Sequence, residues 1–101
     1  MIHPLLNPKS FHYLDENKKT TIEKMEEELT VNEQLGWCKG NIFKYTDRQD
    51  RKGQKDSDIE KIADFERYFD FLYQCYLQFD GDTICKDAYE CLNIEVEYII
   101  D

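Results

Sequence analysis

The sequence lacks the familiar short signatures of catalysis. It has no glycine-rich phosphate loop ending in Lys-Ser or Lys-Thr, no dinucleotide fingerprint, no His-Glu-x-x-His pair and no nucleophile elbow. Enzymes built on those motifs are excluded. No run approaches the roughly 20 apolar residues of a membrane span, and the start, Met-Ile-His-Pro-Leu-Leu-Asn-Pro, shows no charged residues followed by an apolar stretch. A cytoplasmic protein without membrane contact is expected. Cysteine occurs only at 38, 75, 85 and 91, with no Cys-x-x-Cys unit and no zinc spacing, so these residues read as reduced members of the core. The two histidines, His3 and His12, lie in an irregular stretch without a visible orienting partner, and a Cys-His nucleophile would need a tertiary contact. Asp80-Gly81-Asp82 does not continue into the oxygen-ligand series of a calcium loop.

At 101 residues and 12.2 kDa there is room for one small domain and for no second catalytic one. So short a chain often completes its core by oligomerising, and a homo-oligomer is expected. Thirteen Lys and Arg against 22 Asp and Glu give a net charge of -9, which argues against a generic DNA- or membrane-binding surface, and no sequence-specific nucleic-acid binding is expected. The acidity is uneven. Residues 39 to 55 hold six basic residues (Lys39, Lys44, Arg48, Arg51, Lys52, Lys55) and two acids (Asp47, Asp50), a net +4, which leaves -13 elsewhere.

The pattern predicts an all-α bundle of three to four helices, with an irregular arm over 1–19, a helical core over 20–79 and a C-terminal extension over 80–101. Thr20 and Glu23 suit a capping box, after which Ile22, Met25 and Leu29 repeat at helical spacing, with Glu26, Glu27 and Glu28 read as facing solvent. Thr30 and Glu33 repeat the signature before a helix over about 31–50, whose seam is Val31, Leu35, Cys38, Ile42 and Tyr45. Its other face carries Asn41, Lys44 and Arg48, an amide and two cations on one side, as a phosphate requires. Gly36 and Gly40 weaken this helix, which implies a close approach by a helix or a ligand. A charged loop over 51–57 precedes a third helix capped by Ser57 and Glu60. That helix has two apolar stripes: Ile59, Ile62, Phe65, Phe69, Leu72 and Tyr76, and then Tyr68, Phe71, Cys75 and Phe79, the second read as a self-association face. Asp-Gly predicts a left-handed turn at 80–82, and a short helix with Cys85, Tyr89 and Leu92 inward should follow. The alternation of Ile94, Val96, Tyr98 and Ile100 with Glu95 and Glu97 is that of a strand, to be met by another copy, absorbed into the last helix or left as a tail.

The run Gly-Trp-Cys-Lys-Gly-Asn-Ile-Phe-Lys-Tyr-Thr-Asp-Arg (36–48), with Lys52, Lys55 and Asp58-Ile59-x-Lys61 after it, resembles the core of a small bacteriophage family. That family is a domain of unknown function and includes a phage nucleotide kinase without the usual phosphate loop. His3-Pro4, His12-Tyr13 and Ile22-Glu23 agree in order, so the likeness spans roughly residues 3 to 72. It implies a shared site of Gly40, Asn41, Lys44, Tyr45 and Arg48 with His12 and Tyr13 folded over it, in the cytoplasm of an infected bacterium.

Three functions follow as expectations. The first is a nucleotide-binding protein acting as a nucleoside monophosphate kinase, with Lys44 and Arg48 as catalytic cations and His12, Tyr13, Gly40, Asn41, Tyr45, Arg51 and Lys52 binding the ligand. Magnesium would then be the cofactor, held by Glu23, Asp47 or Asp58 only through water, since the sequence shows no fixed metal cage. The second is a non-enzymatic anti-defence protein that sequesters a nucleotide signal at the same face. The third is a host-takeover protein whose acidic surface imitates nucleic acid or occupies a basic patch on a host protein.

Overall fold

Thr20 starts the first helix by the chemistry of its side chain: Oγ1 accepts the Glu23 N–H at 3.2 Å, and α1 runs Thr21–Glu28. The computed structural model describes residues 1–5, 19–48 and 55–98. Three further helices follow, α2 (Val31–Arg48), α3 (Lys55–Gln78) and α4 (Cys85–Cys91). Among the described residues there is no sheet, and the chain is a small all-α bundle. At the α1–α2 junction the second capping box is complete, with Glu33 N–H donating to Thr30 Oγ1 at 3.1 Å and Thr30 N–H to Glu33 Oε1 at 3.0 Å.

Helices α2 and α3 form an antiparallel hairpin. Gln34 bonds Tyr68, Trp37 meets Phe65 edge-on at 5.2 Å, Tyr45 stacks on Phe65 at 6.1 Å, and Arg48 faces Asp58. Of the expected α2 seam, Val31 and Cys38 are buried and Leu35, Ile42 and Tyr45 half-buried. The connections α1–α2 and α3–α4 lie side by side, joined by Val31 N–H to Thr83 O (2.9 Å), Asn32 N–H to Gly81 O (3.0 Å) and Cys85 N–H to Leu29 O (3.1 Å). A Cβ at Gly81 would overlap the exposed Asn32 side chain, which would have to swing aside; the Gly81 backbone is not left-handed, contrary to the Asp-Gly expectation. Asp80 Oδ1 closes the turn by accepting the Asp82 N–H at 2.7 Å.

Several expectations change. Helix α3 begins at Lys55, so Ser57 sits inside its first turn instead of capping it, and Asp56 and Asp58 meet the positive end of the helix. The stripe Tyr68, Phe71, Cys75 and Phe79 is not a free self-association face: Tyr68 and Cys75 are buried, Phe71 and Phe79 half-buried, and all four belong to the core formed with α1, α4 and the flanking segments. The C-terminal segment has its partner within the chain. His3 N–H donates to Glu97 O at 3.0 Å and Glu97 N–H to Met1 O at 2.7 Å, a parallel bridge, with Ile94, Val96 and Tyr98 half-buried and Glu95 and Glu97 exposed. Ile100 lies outside the described residues. A Cβ added at Gly36 or Gly40 would have nothing within 4 Å, so no other helix explains these glycines. Cys38, Cys75 and Cys85 are buried and Cys91 exposed, all four free. No helix among the described residues is long and apolar enough to cross a membrane.

Candidate functional site

Two polar sites stand out, each built around a fully buried carboxylate. The first is on α2 and α3. Tyr45 lies half-buried against Phe65, and three cations gather round its ring, Lys44 Nζ and Lys61 Nζ each 5.0 Å from the centroid and Arg48 Cζ 5.6 Å from it. Helical spacing explains the convergence. Lys44 and Arg48 stand one turn apart on α2, and the antiparallel α3 brings Lys61 in from the other side. Such cation–π contacts hold like charges close together on one ring. Asp58, in the first turn of α3, places Oδ2 3.9 Å from Arg48 Nε. Its side chain is completely buried, and neither oxygen accepts a hydrogen bond among the described residues.

The expected site is thus partly assembled. Lys44, Tyr45 and Arg48 come together as the spacing predicts. Asn41 is half-buried and donates Nδ2–H to the Trp37 carbonyl of its own helix at 2.9 Å, so its amide donor serves α2. Gly40 is exposed. His12, Tyr13, Arg51 and Lys52 lie outside the described residues. The carboxylates expected to hold magnesium do not gather in one place: Glu23 pairs with Lys86 of α4 at 3.0 Å, whereas Asp58 faces Arg48. Among the described residues no group of three His, Cys, Asp or Glu could hold a metal ion. Lys61, absent from the expected ligand set, is the cation that sequence reasoning missed; its signal is its place three residues after Asp58 at the start of α3.

The second site overturns the reading of Glu26 as a solvated acid. Glu26 is completely buried. Its Oε2 accepts hydrogen bonds from His3 Nε2 at 2.9 Å, Tyr68 OH at 2.6 Å and Tyr89 OH, and its Oε1 accepts one from Tyr98 OH at 2.5 Å. The Leu5 N–H donates to His3 Nδ1 at 3.1 Å, which leaves Nε2 as the ring's proton-bearing donor. Tyr68 OH also accepts from Gln34 Nε2 at 2.8 Å. Burial by itself would raise the Glu26 pKa, but the hydrogen bond and the charge of His3, followed by the hydrogen bonds from Tyr68 and Tyr89, outweigh it and hold the carboxyl below its usual range. Burial, followed by neighbouring charge, pushes the phenols of Tyr68, Tyr89 and Tyr98 well above theirs. Burial and then the Glu26 charge likewise push Cys38 up to about 12 and Cys75 to about 11. These thiols stay protonated and unreactive, and His3 bonds to Glu26 and not to a cysteine. The missed signal is spacing: Glu26 lies four residues after Ile22 and three before Leu29, on the face that α1 buries.

Residues 7–67 match the family described as a protein of unknown function, DUF3310. The chain belongs to this family. No curated protein and no solved structure gives a significant match. Within this DUF3310 chain, the Tyr45 cluster falls inside the matched segment, with Lys44, Arg48, Asp58 and Lys61 all included. The Glu26 knot is different. Glu26 and Gln34 lie within the match, while His3, Tyr68, Tyr89 and Tyr98 come from the segments on either side of it.

Proposed function

We propose that this DUF3310 chain binds a nucleotide through its phosphates at the Tyr45 cluster. The observation that supports the reading is the convergence of Lys44, Arg48 and Lys61 within 5.0 to 5.6 Å of one ring centre. Asp58 faces Arg48 from behind, and a phosphate matches the Arg fork and the two Lys point charges of this face. Lys44 and Arg48 carry the charge on the phosphates, Lys61 adds a third contact, and Tyr45 offers its ring as a wall. The likeness of the 36–48 run to a phage family that includes a kinase without a phosphate loop favours phosphoryl transfer between nucleotides in an infected cell. In that reaction the three cations neutralise charge that develops on the transferred group. Magnesium would arrive on the nucleotide's own phosphates. The same face serves a protein that sequesters a nucleotide signal without turnover.

The test is thermal denaturation against nucleoside mono-, di- and triphosphates and cyclic dinucleotides, with and without magnesium, on the native chain and on Lys44→Ala with Arg48→Ala. A ligand at 100 times its Kd stabilises by about 2.7 kcal/mol, a readable shift for a domain of this size. A shift that the double variant loses supports the site, and a phosphoryl-transfer assay then separates kinase from sequestration. No shift with any nucleotide overturns the reading and turns attention to a host protein partner.

A further inference from the structure

The hairpin has a second flank, turned away from Asn41, Lys44 and Arg48, which the other described residues leave uncovered. On α2, Lys39, Ile42, Phe43 and Thr46 recur at helical spacing, and with Asp47 of the same helix and Phe69 of α3 they line an open groove of about 530 Å³. Phe43 is 77% exposed, the largest value for any large apolar side chain of the described residues. Along α3 the same surface continues as a ladder of near-parallel rings, Phe69 on Tyr73 at 6.3 Å and Tyr73 on Tyr76 at 6.0 Å, and ends at Leu77, itself 59% exposed. None of these residues belongs to the Tyr45 cluster or to the Glu26 knot.

We infer that this flank is the interface between two copies of the chain. Its shape allows self-association, because the protruding Phe43 ring forms one wall of a groove whose other apolar walls are Ile42 and Phe69, so a two-fold axis can seat each Phe43 against the other copy's Ile42 and Phe69. The charges complement each other in the same arrangement. Glu66, Asp70, Tyr73 and Leu77 form one row on α3, so two acids border the rings on that helix, while Lys39 and, two turns on, Asp47 border them on α2. Crossing α2 of one copy over α3 of the other sets Lys39 against Glu66 and Asp70 of the partner subunit, twice over. Two chains of net charge -9 repel each other at most surfaces, and the two Lys39 contacts lessen that repulsion at this one. The area also suits. An aromatic side chain offers about 150–250 Å²; at their exposures Phe43, Tyr73, Tyr76 and Leu77 present about 400 Å² of apolar surface, half of the roughly 800 Å² per partner in a standard interface, with the polar rim supplying the remainder.

Sedimentation equilibrium of the full chain, without nucleotide, tests the interface. The expected mass is twice 12.2 kDa, returning to the single-chain value in Phe43→Glu with the helical circular dichroism unchanged. Lys39→Glu should weaken the dimer about tenfold, and adding Glu66→Lys and Asp70→Lys to it should restore the affinity. A single-chain mass at every soluble concentration overturns the inference and leaves the flank to a different protein. A dimer that survives both Phe43→Glu and the charge reversals overturns it as well.

Discussion

Glu26 and Asp58 are both fully buried carboxylates, and their surroundings differ in almost every respect. Glu26 accepts four hydrogen bonds, from His3, Tyr68, Tyr89 and Tyr98, and these reach it from both ends of the chain and from α3 and α4. Asp58 accepts none among the described residues and has Arg48 at 3.9 Å. A buried charge is tolerated when its hydrogen bonds are complete and costs stability when they are not. The satisfied carboxylate therefore reads as a structural fastener, and the other as the buried counter-charge behind Arg48 in the Tyr45 cluster. Glu26 ties the flanking segments to the family core, whereas Asp58 lies within that core beside the cations that the proposed ligand would meet.

The largest test of this contrast is Glu26→Gln. It removes the charge that three phenols and an imidazole N–H point at, and places an amide N–H₂ among donors. Breaking a buried charged network in this way should cost about 3–5 kcal/mol, a large share of the roughly 5–15 kcal/mol that holds a small domain folded. Urea denaturation measures it. A loss below about 1 kcal/mol would show that the knot is not a fastener.

The dependence on pH sharpens the same point. The folded-state pKa of Glu26 lies below its ordinary value of 4.5, so its contribution is complete above that value and is lost as pH falls through the folded pKa. The phenols act at the other end of the scale. Raised in the folded state above their ordinary 10.0, Tyr68, Tyr89 and Tyr98 contribute fully below that value, and their contribution declines as pH climbs past it. Unfolding free energy followed from acid to alkali should therefore fall at both ends in the native chain. In Glu26→Gln the acid decline should become shallower.

Asp58→Asn should behave in the opposite way. It relieves a buried charge that accepts no hydrogen bond among the described residues while keeping the shape, and should raise the stability of the ligand-free chain by about 1 kcal/mol, less whatever is lost with the Arg48 ion pair and the dipole interaction in the first turn of α3. Destabilisation on the scale of Glu26→Gln would place Asp58 with the fasteners and remove the contrast.

How much of this is legible in the sequence follows the same division. Local signals read well: Thr20 and the Thr30–Glu33 pair cap their helices as the spacing indicates, and Lys44, Tyr45 and Arg48 converge because they share one helix. Contacts between elements do not. Glu26 reads by residue type as solvated, because its partners lie 23 to 72 residues away and no local pattern connects them. The second stripe of α3 looks surplus until α4 and the chain ends, which cover it, are counted as partners. The tail lacks an evident mate for the same reason, although its alternation of half-buried and exposed residues is plain from the sequence. Lys61 joins the site only through the antiparallel pairing of α2 and α3.

The smallest expected effect concerns Gly40, which lies one turn before Lys44 on the same row of α2. An exposed glycine within a helix costs up to about 1 kcal/mol relative to Ala, and the space beside Gly40 is open. Gly40→Ala should therefore stabilise the free chain by about that amount, since no neighbour obstructs the added methyl. If a ligand lies against this backbone beside Lys44, the same methyl should weaken nucleotide binding while the melting temperature of the free chain rises. The paired measurement separates two explanations for a glycine at this position. A rise in stability with unchanged binding would confine the ligand to the side chains of Lys44, Arg48 and Lys61. A rise with weakened binding would extend the contact surface along α2 toward Gly36, and would explain why a helix that needs no glycine for its own packing carries one there.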